Sequence, residues 1–149
     1  MYEQLLTQVG AEQAKYGEQA QPPCTEERLE RLRQRARREL GVEVPEEYAA
    51  FLRAQDGLNH NGLFIYASET SPVAGAPDAT IEGLVEANLG WRDDEHFNSY
   101  LVFGEGNMDL YVRHLPTGDY QVIDRTPGNL IETHPSLDQL IAAALKAHL

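Results

Sequence analysis

The chain has 149 residues, 42% of them hydrophobic and 24% charged, which suits one soluble domain with a real core and leaves no room for two comfortable ones. No apolar run approaches the about 18 residues that span a bilayer, and a single Cys24 cannot form an internal disulfide. Met1-Tyr2-Glu3-Gln4-Leu5-Leu6 lacks the basic region and apolar core of a signal peptide, so the cytoplasm is the expected location.

The net charge of −12 is unevenly spread. Residues 1–38 carry seven Lys/Arg against six Asp/Glu, a net of +1, and residues 39–149 carry five against eighteen, a net of −13. Such an acidic body repels nucleic acid and anionic membrane and speeds association with basic partners. The plainer alternative is that the charge only keeps the protein soluble.

In chain order, the spacing predicts a helix from Met1 to about Gln19, with Tyr2, Leu5, Leu6 and Val9 as its apolar stripe and Gln13 interrupting it. Pro22-Pro23 then makes a short linker, so residues 1–24 form an N-terminal helix and linker. Thr25 is a plausible N-cap for a second helix in which Leu29, Leu32, Ala36 and Leu40 recur at helical spacing until Gly41 stops it. Arg28, Arg31, Arg33, Arg35, Arg37 and Arg38 crowd this helix. They point around most of its circumference with no interleaved aromatics, so ion pairing with the acidic body is expected, not nucleic-acid binding.

Pro45 suits the first position of a third helix, with Glu46 and Glu47 at the positive end of its dipole and Tyr48, Phe51 and Leu52 on one face. Asp56-Gly57 ends it, Asn59-His60-Asn61-Gly62 supplies a turn, and Leu63–Tyr66 is an apolar run of strand length. Residues 67–77, rich in Ser, Pro, Gly and Ala, read as a long loop. Asp78 or Thr80 is expected to cap a helix that places Ile81, Leu84, Val85, Asn88 and Trp91 on one face, and Arg92–Asn98 follows as a charged break. Tyr100–Phe103, Asp109–Leu115 and Tyr120–Asp124 are strands separated by Gly104–Asn107 and Pro116–Asp119, and consecutive hairpins make an antiparallel sheet. A short strand near Leu130-Ile131 precedes a final helix with a Ser136/Gln139 capping box. The order predicts a single α+β domain over residues 1–149, with helices packed on one face of an antiparallel sheet and a C-terminal helix.

Signatures of chemistry are sparse. There is no phosphate-binding loop, no Gly-x-Ser-x-Gly and no His-Glu-x-x-His, and turn geometry accounts for Gly104-x-Gly106. Cys24 sits beside the Pro-Pro linker without a local base. Five scattered histidines give no ligand spacing, and Asp93, Asp94, Glu95 and His96 read as a solvated loop before they read as a metal site. Glu105 and Asp124 could pair as carboxylates, with a separation the sequence does not give. No enzyme, metal, cofactor or small-molecule substrate is expected.

The residues nonetheless resemble a family. Val44-Pro45-x-x-Tyr48-x-x-Phe51-Leu52, Gly57-Leu58-Asn59-x-Asn61-Gly62-Leu63-Phe64-Ile65-Tyr66, a helix closing on Trp91, Leu101-Val102-Phe103-Gly104-Glu105, Asp109-Leu110-Tyr111 and Val122-Ile123-Asp124-Arg125 are together similar to the SUKH superfamily, and the Gly57–Tyr66 run is closest to its YrhA-like branch. The resemblance covers about Thr25 to Leu149. It implies a twisted antiparallel sheet and a cytoplasmic immunity protein that binds a cognate toxin, as a heterodimer, and occludes its active or substrate-binding site. The implied toxin is directed at nucleic acid or nucleotides and has a basic cleft, which the acidic body would fill. The alternative is a non-enzymatic binding adaptor. The expected partner-binding residues, chosen on charge and exposure, are Trp91, Asp93, Asp94, Glu95, Glu105 and Asp109. The register of Trp91 also suits burial. Asn59 and Asn61 set the turn, with direct partner contact as their second possible role.

Overall fold

Residues 2–126 and 128–149 are described by a computed structural model. Helix α1 (Glu3–Lys15) is shorter than the expected span, and Gly17 takes φ +72° just beyond it; the expected start at Met1 lies outside the described residues. Gln13, which breaks the apolar stripe, is buried beside Val9. Helix α2 (Glu26–Arg35) starts where the Thr25 side chain accepts from Arg28 N at 3.2 Å. It continues as one π-helical turn, Ala36–Leu40, and stops at left-handed Gly41 (φ +68°). Helix α3 (Glu46–Ala54) has Pro45 at its N-cap, one residue earlier than expected, with the Pro45 carbonyl accepting from Tyr48 N and Ala49 N. Tyr48, Phe51 and Leu52 are all fully buried.

Two expectations fail between α3 and the next helix. The turn expected over Asn59–Gly62 is confined to its last two residues. Strands β1 (Leu58–His60) and β2 (Leu63–Ile65) pair antiparallel, and Asn61 (φ +47°) with Gly62 (φ +82°) makes their two-residue hairpin turn. Asn59 and His60 are therefore strand residues. The second failure is the loop over 67–77 and the helix capped by Asp78 or Thr80. Here β3 (Ser71–Val73) and β4 (Ala76–Ile81) form a separate two-stranded hairpin, with both proposed caps inside β4. Gln21 holds this hairpin from outside, donating to the Pro72 carbonyl at 3.1 Å and accepting from Ala74 N at 2.6 Å. Helix α4 (Leu84–Trp91) begins only after Gly83, and its first amide donates to the Ala67 carbonyl at 2.8 Å.

A 3-10 turn (Glu95–Ser99) leads into β5 (Tyr100–Glu105), β6 (Asp109–His114), β7 (Tyr120–Asp124) and β8 (Leu130–His134), the expected meander. All pairings are antiparallel, in the order β1-β2-β5-β6-β7-β8. Gly104 belongs to β5, not to a turn, and the reason is steric. A Cβ on it would lie 2.5 Å from the Phe64 carbonyl oxygen, so its bare backbone lets β2 pair closely. The final helix α5 (Leu137–Ala147) is capped by Ser136, which accepts from Gln139 N at 3.2 Å.

One apolar cluster runs from Tyr2 to Leu145 and unites the domain. Tyr48 of α3 meets Phe103 of β5 with ring centroids 5.0 Å apart, Tyr2 meets Phe51 at 5.7 Å, and α1 packs on α5. Leu110, Val112 and Ile123 are fully buried alongside Tyr111 and Val122, whose side chains alternate to the other face, so the central strands are covered on both sides. The fold is α+β, with α4 and the 3-10 turn packed against β5.

Candidate functional site

Helix α4 carries Trp91 as its last residue, and the chain turns there into Asp93, Asp94 and the 3-10 turn. Trp91, Asp93, Asp94, His96 and Phe97, with Arg125 and Thr126 from the end of β7, line an open basin of about 730 Å³. Asp94 caps the 3-10 turn by accepting from His96 N at 3.0 Å, while Asp93 and Glu95 lie exposed. Trp91 is half-buried and tilts against Phe97, with centroids 5.2 Å apart.

The basin floor is fixed by a four-residue network. Trp91 Nε1 donates to Tyr66 Oη at 2.9 Å, and Tyr66 Oη donates to Glu105 Oε2 at 2.5 Å. Arg125 Nη2 donates to Glu105 Oε1 at 2.7 Å, Nη1 donates to the Gly106 carbonyl, and the guanidinium lies over the Trp91 ring, 5.5 Å from its centroid. Burial, reinforced by the Glu105 carboxylate, raises the Tyr66 hydroxyl far above its ordinary pKa, so it stays protonated and donates. On the far side of Glu105, Phe64, Tyr66, Thr80 and Glu82 complete a cleft of about 220 Å³. Burial, then the charges of Glu105 and Glu86, raises the Glu82 carboxyl above its usual range.

Of the eight residues expected at an interface, the structure brings four into one neighbourhood: Trp91, Asp93 and Asp94 in the basin, and Glu105 beneath it. Glu95 is next to them in the 3-10 turn. Asp109 sits directly across from Asp124 in the β6–β7 register, two strands from β2. Asn59 and Asn61 line a different depression, on the β1–β2 hairpin. There the Asn61 side chain donates to the His148 carbonyl at 3.0 Å and ties the hairpin to the end of α5. Tyr66, Glu82 and Arg125 were not singled out by sequence. Tyr66 reads as a strand residue, and only its hydroxyl, invisible to hydropathy, enters the site.

The cations near this acidic surface are already committed. Among the described residues every arginine of the basic helix has a carboxylate within reach: Arg28–Glu69 at 3.0 Å, Arg31–Glu27 at 3.2 Å, Arg33–Glu46 at 3.0 Å, Arg35–Glu86 at 2.6 Å, Arg37–Glu43 at 2.9 Å and Arg38–Glu39 at 3.6 Å. Arg92 donates to the Leu40 carbonyl at 2.9 Å and leaves Asp93 uncompensated. No cation pairs with Glu82, Asp93, Asp94, Glu95 or Asp109 among the described residues. Nor, among those residues, does any group of three or more His, Cys, Asp and Glu side chains have the arrangement to hold a metal ion, and no helix is long and apolar enough to cross a membrane.

Residues 23–143 match the sequence model of the SMI1 / KNR4 family (SUKH-1). No curated protein matches the chain. The matched span includes α2 to β8 and the whole Trp91 basin, and it excludes α1.

Proposed function

The chain belongs to the SMI1 / KNR4 family (SUKH-1), and we propose that it is a cytoplasmic immunity protein that binds one cognate toxin and occludes its active or substrate-binding site. The family is known for toxin-immunity proteins. The observation that carries the reading for this chain is the uncompensated acid around Trp91: Asp93 and Asp94 in its basin and Glu95 in the adjoining 3-10 turn lack cationic partners among the described residues, while the arginines of α2 and its π-helical turn are spent in internal pairs. A fixed array of carboxylates around a half-buried aromatic suits a basic cleft, where the acids steer encounter and the aromatic anchors the complex.

On this reading the toxin acts on nucleic acid or nucleotides, since an enzyme of that kind carries a basic substrate cleft that a polyanion can fill. The Gly57–Tyr66 run supports placement in the YrhA-like branch. Co-expression with the product of the adjacent reading frame tests the proposal. The neighbour is expected to arrest growth alone and to be harmless, in a one-to-one complex, when this protein is present. A neighbour that is innocuous alone, or one that kills regardless of this protein, overturns it.

A further inference from the structure

Strand β8 ends the six-stranded sheet at the side opposite β1. Among the described residues no hydrogen bond outside the β7 ladder reaches the backbone of Leu130–His134. The other strand edges are guarded. Gln13 of α1 donates to the Asn59 carbonyl of β1 at 3.4 Å, Gln21 holds β3, and β4 carries Pro77, which has no N–H, beside the charged Asp78. The two faces of the sheet differ at β8. Directly paired residues share a face, so Tyr111, Val122 and Glu132 form one row, and Asp109 and Asp124, two residues along, lie on the same side. Asp109 stands opposite Asp124, an unfavourable pair of like charges. Among the described residues no Lys or Arg pairs with Asp109, Asp124 or Glu132, and His134 Nε2 alone approaches Glu132, at 2.9 Å. Burial, then the charges of Asp109 and Glu132, pushes the Tyr111 hydroxyl up to about 12, so both carboxylates act on one spot of this face. On the opposite face Leu110 and Ile123 are fully buried, and Leu130 continues their row while 58% exposed. That apolar row runs unfinished into solvent.

From the open edge, the acidic face and the unfinished row we infer that β8 accepts an added strand from a partner protein: an extended segment in which Lys or Arg alternates with aliphatic residues. Its main chain completes the ladder, its cations lie over Glu132 and Asp124, and its aliphatic side chains cover Leu130. Arg113, Tyr120 and His134 form the row at the other end, so the cations belong toward Asp124 and away from His134. A second copy of this chain offers the wrong chemistry. It would bring another Glu132 and another bulge, the register shift opposite Val122 and Ile123, to the same edge of a body with net charge −12. A basic strand meets neither obstacle, since it turns the repulsion at Glu132 into attraction. The edge adjoins the Trp91 basin, to which Arg125 and Thr126 contribute, and a Cβ on Gly128 would lie 2.1 Å from His96 Nε2. The inference goes beyond the immunity reading and does not rest on the partner being a toxin.

The test is a ¹H–¹⁵N titration of the isolated full chain with the end-blocked peptide Lys-Val-Lys-Val-Lys-Val, with Glu-Val-Glu-Val-Glu-Val and Lys-Val-Lys-Pro-Lys-Val in parallel. The first peptide is expected to give saturable shifts centred on residues 130–134 and to slow amide exchange there. The acidic peptide should give none. The proline peptide has the same charge but cannot complete a ladder, so it should bind at least about tenfold more weakly. Glu132→Lys changes an exposed side chain, so it should leave the unfolding midpoint in place and weaken the basic peptide about fivefold. Equal binding of the proline peptide reduces the effect to charge attraction and overturns the inference. So do equal binding of the acidic peptide, full binding by Glu132→Lys, shifts centred on the Trp91 basin, or no saturable shift at all. A peptide-free chain that is dimeric, with its β8 amides already slow to exchange, overturns it in favour of a second copy. None of these outcomes bears on whether a neighbouring toxin is neutralised, so the two proposals fail separately.

Discussion

The side chain of Asn88 stands in for a β-strand opposite Val102. It accepts from Val102 N and donates to the Val102 carbonyl, both at 2.8 Å, and its amide also donates to Leu84 O of its own helix. Strand β2 pairs with β5 at Glu105 and Gly104, Tyr66 N adds one bond to the Phe103 carbonyl, and β2 goes no further. Asn88, almost wholly buried, takes over at the next residue and seats α4 against the open side of β5. The position of Trp91, one turn along α4, depends on it.

Removing that amide leaves a buried N–H and a buried carbonyl of Val102 unpaired. Each costs about 1–3 kcal/mol, so Asn88→Ala is expected to destabilise the protein by roughly 2–4 kcal/mol. Urea unfolding measures it. A loss under about 0.5 kcal/mol, within the range of an inconsequential surface change, would show that water replaces the amide without penalty.

Gly104 tests the same seam from the other side. A methyl group there must push against the Phe64 carbonyl 2.5 Å away and the Ile65 Cα 3.3 Å away, both of them backbone. Gly104→Ala is therefore expected to cost about 2 kcal/mol or more and to speed amide exchange in Phe64–Tyr66 more than in β7. Uniform exchange across the sheet contradicts a local separation of β2.

The basic helix separates stability from nucleic-acid affinity. Arg35 bridges Glu39 at 2.8 Å and Glu86 at 2.6 Å from a largely covered position, whereas Arg38 is mostly in water. Arg35→Ala is expected to lose about 1 kcal/mol and Arg38→Ala under about 0.5 kcal/mol. With all six arginines paired inside the chain, fluorescence anisotropy should detect no binding to a labelled DNA duplex at physiological salt. Micromolar affinity with a steep salt dependence would return these arginines to a nucleic-acid role.

Features set by a few neighbouring residues were legible in the sequence. Thr25, Gly41 and Ser136 bound their helices because a cap needs only contacts three or four residues away. The meander was legible because its turns are punctuated and its strands alternate. Strands β3 and β4 were not, since five of the six residues of β4 are exposed and carry no apolar alternation, and the side chain that holds the hairpin, Gln21, is about fifty residues upstream. The site divides in the same way. Asp93, Asp94 and Trp91 are near neighbours in sequence and could be chosen together, but Tyr66 and Arg125, which fix Trp91, are joined to it only by the tertiary fold.

Glu82 carries a pH signature. Its carboxyl is raised above the usual range by burial and by Glu105 and Glu86, so the folded state holds the proton more tightly than the unfolded chain does. Above both values the folded protein bears a disfavoured charge, and below both values the group is neutral in either state and contributes nothing. Glu82→Gln is expected to stabilise at pH 7, by less than about 0.5 kcal/mol given how far the group faces solvent, and the gain should vanish as pH falls below the ordinary glutamate range. Thermal unfolding of both proteins across pH shows it. A gain that grows toward acid has the wrong sign for this cause.

The interface prediction turns on one charge reversal and its control. Asp93 is exposed in the Trp91 basin without a cation of its own, and Asp119 is exposed in the β6–β7 turn. Asp93→Lys and Asp119→Lys change the net charge equally, so any general effect of the −12 body is common to both. If the basin meets a basic cleft, Asp93→Lys slows association with the toxin at least about tenfold at low salt, and most of that difference disappears near 0.5 M salt, where the Debye length falls to a few ångströms. Asp119→Lys should slow it by no more than about twofold, the residual of long-range steering. Neither substitution removes a contact that holds the fold, so unfolding midpoints should stay together, and a toxin that distinguishes the two variants is reporting where it docks. Equal slowing by both would mean that net charge alone steers the encounter and that the contact surface lies elsewhere.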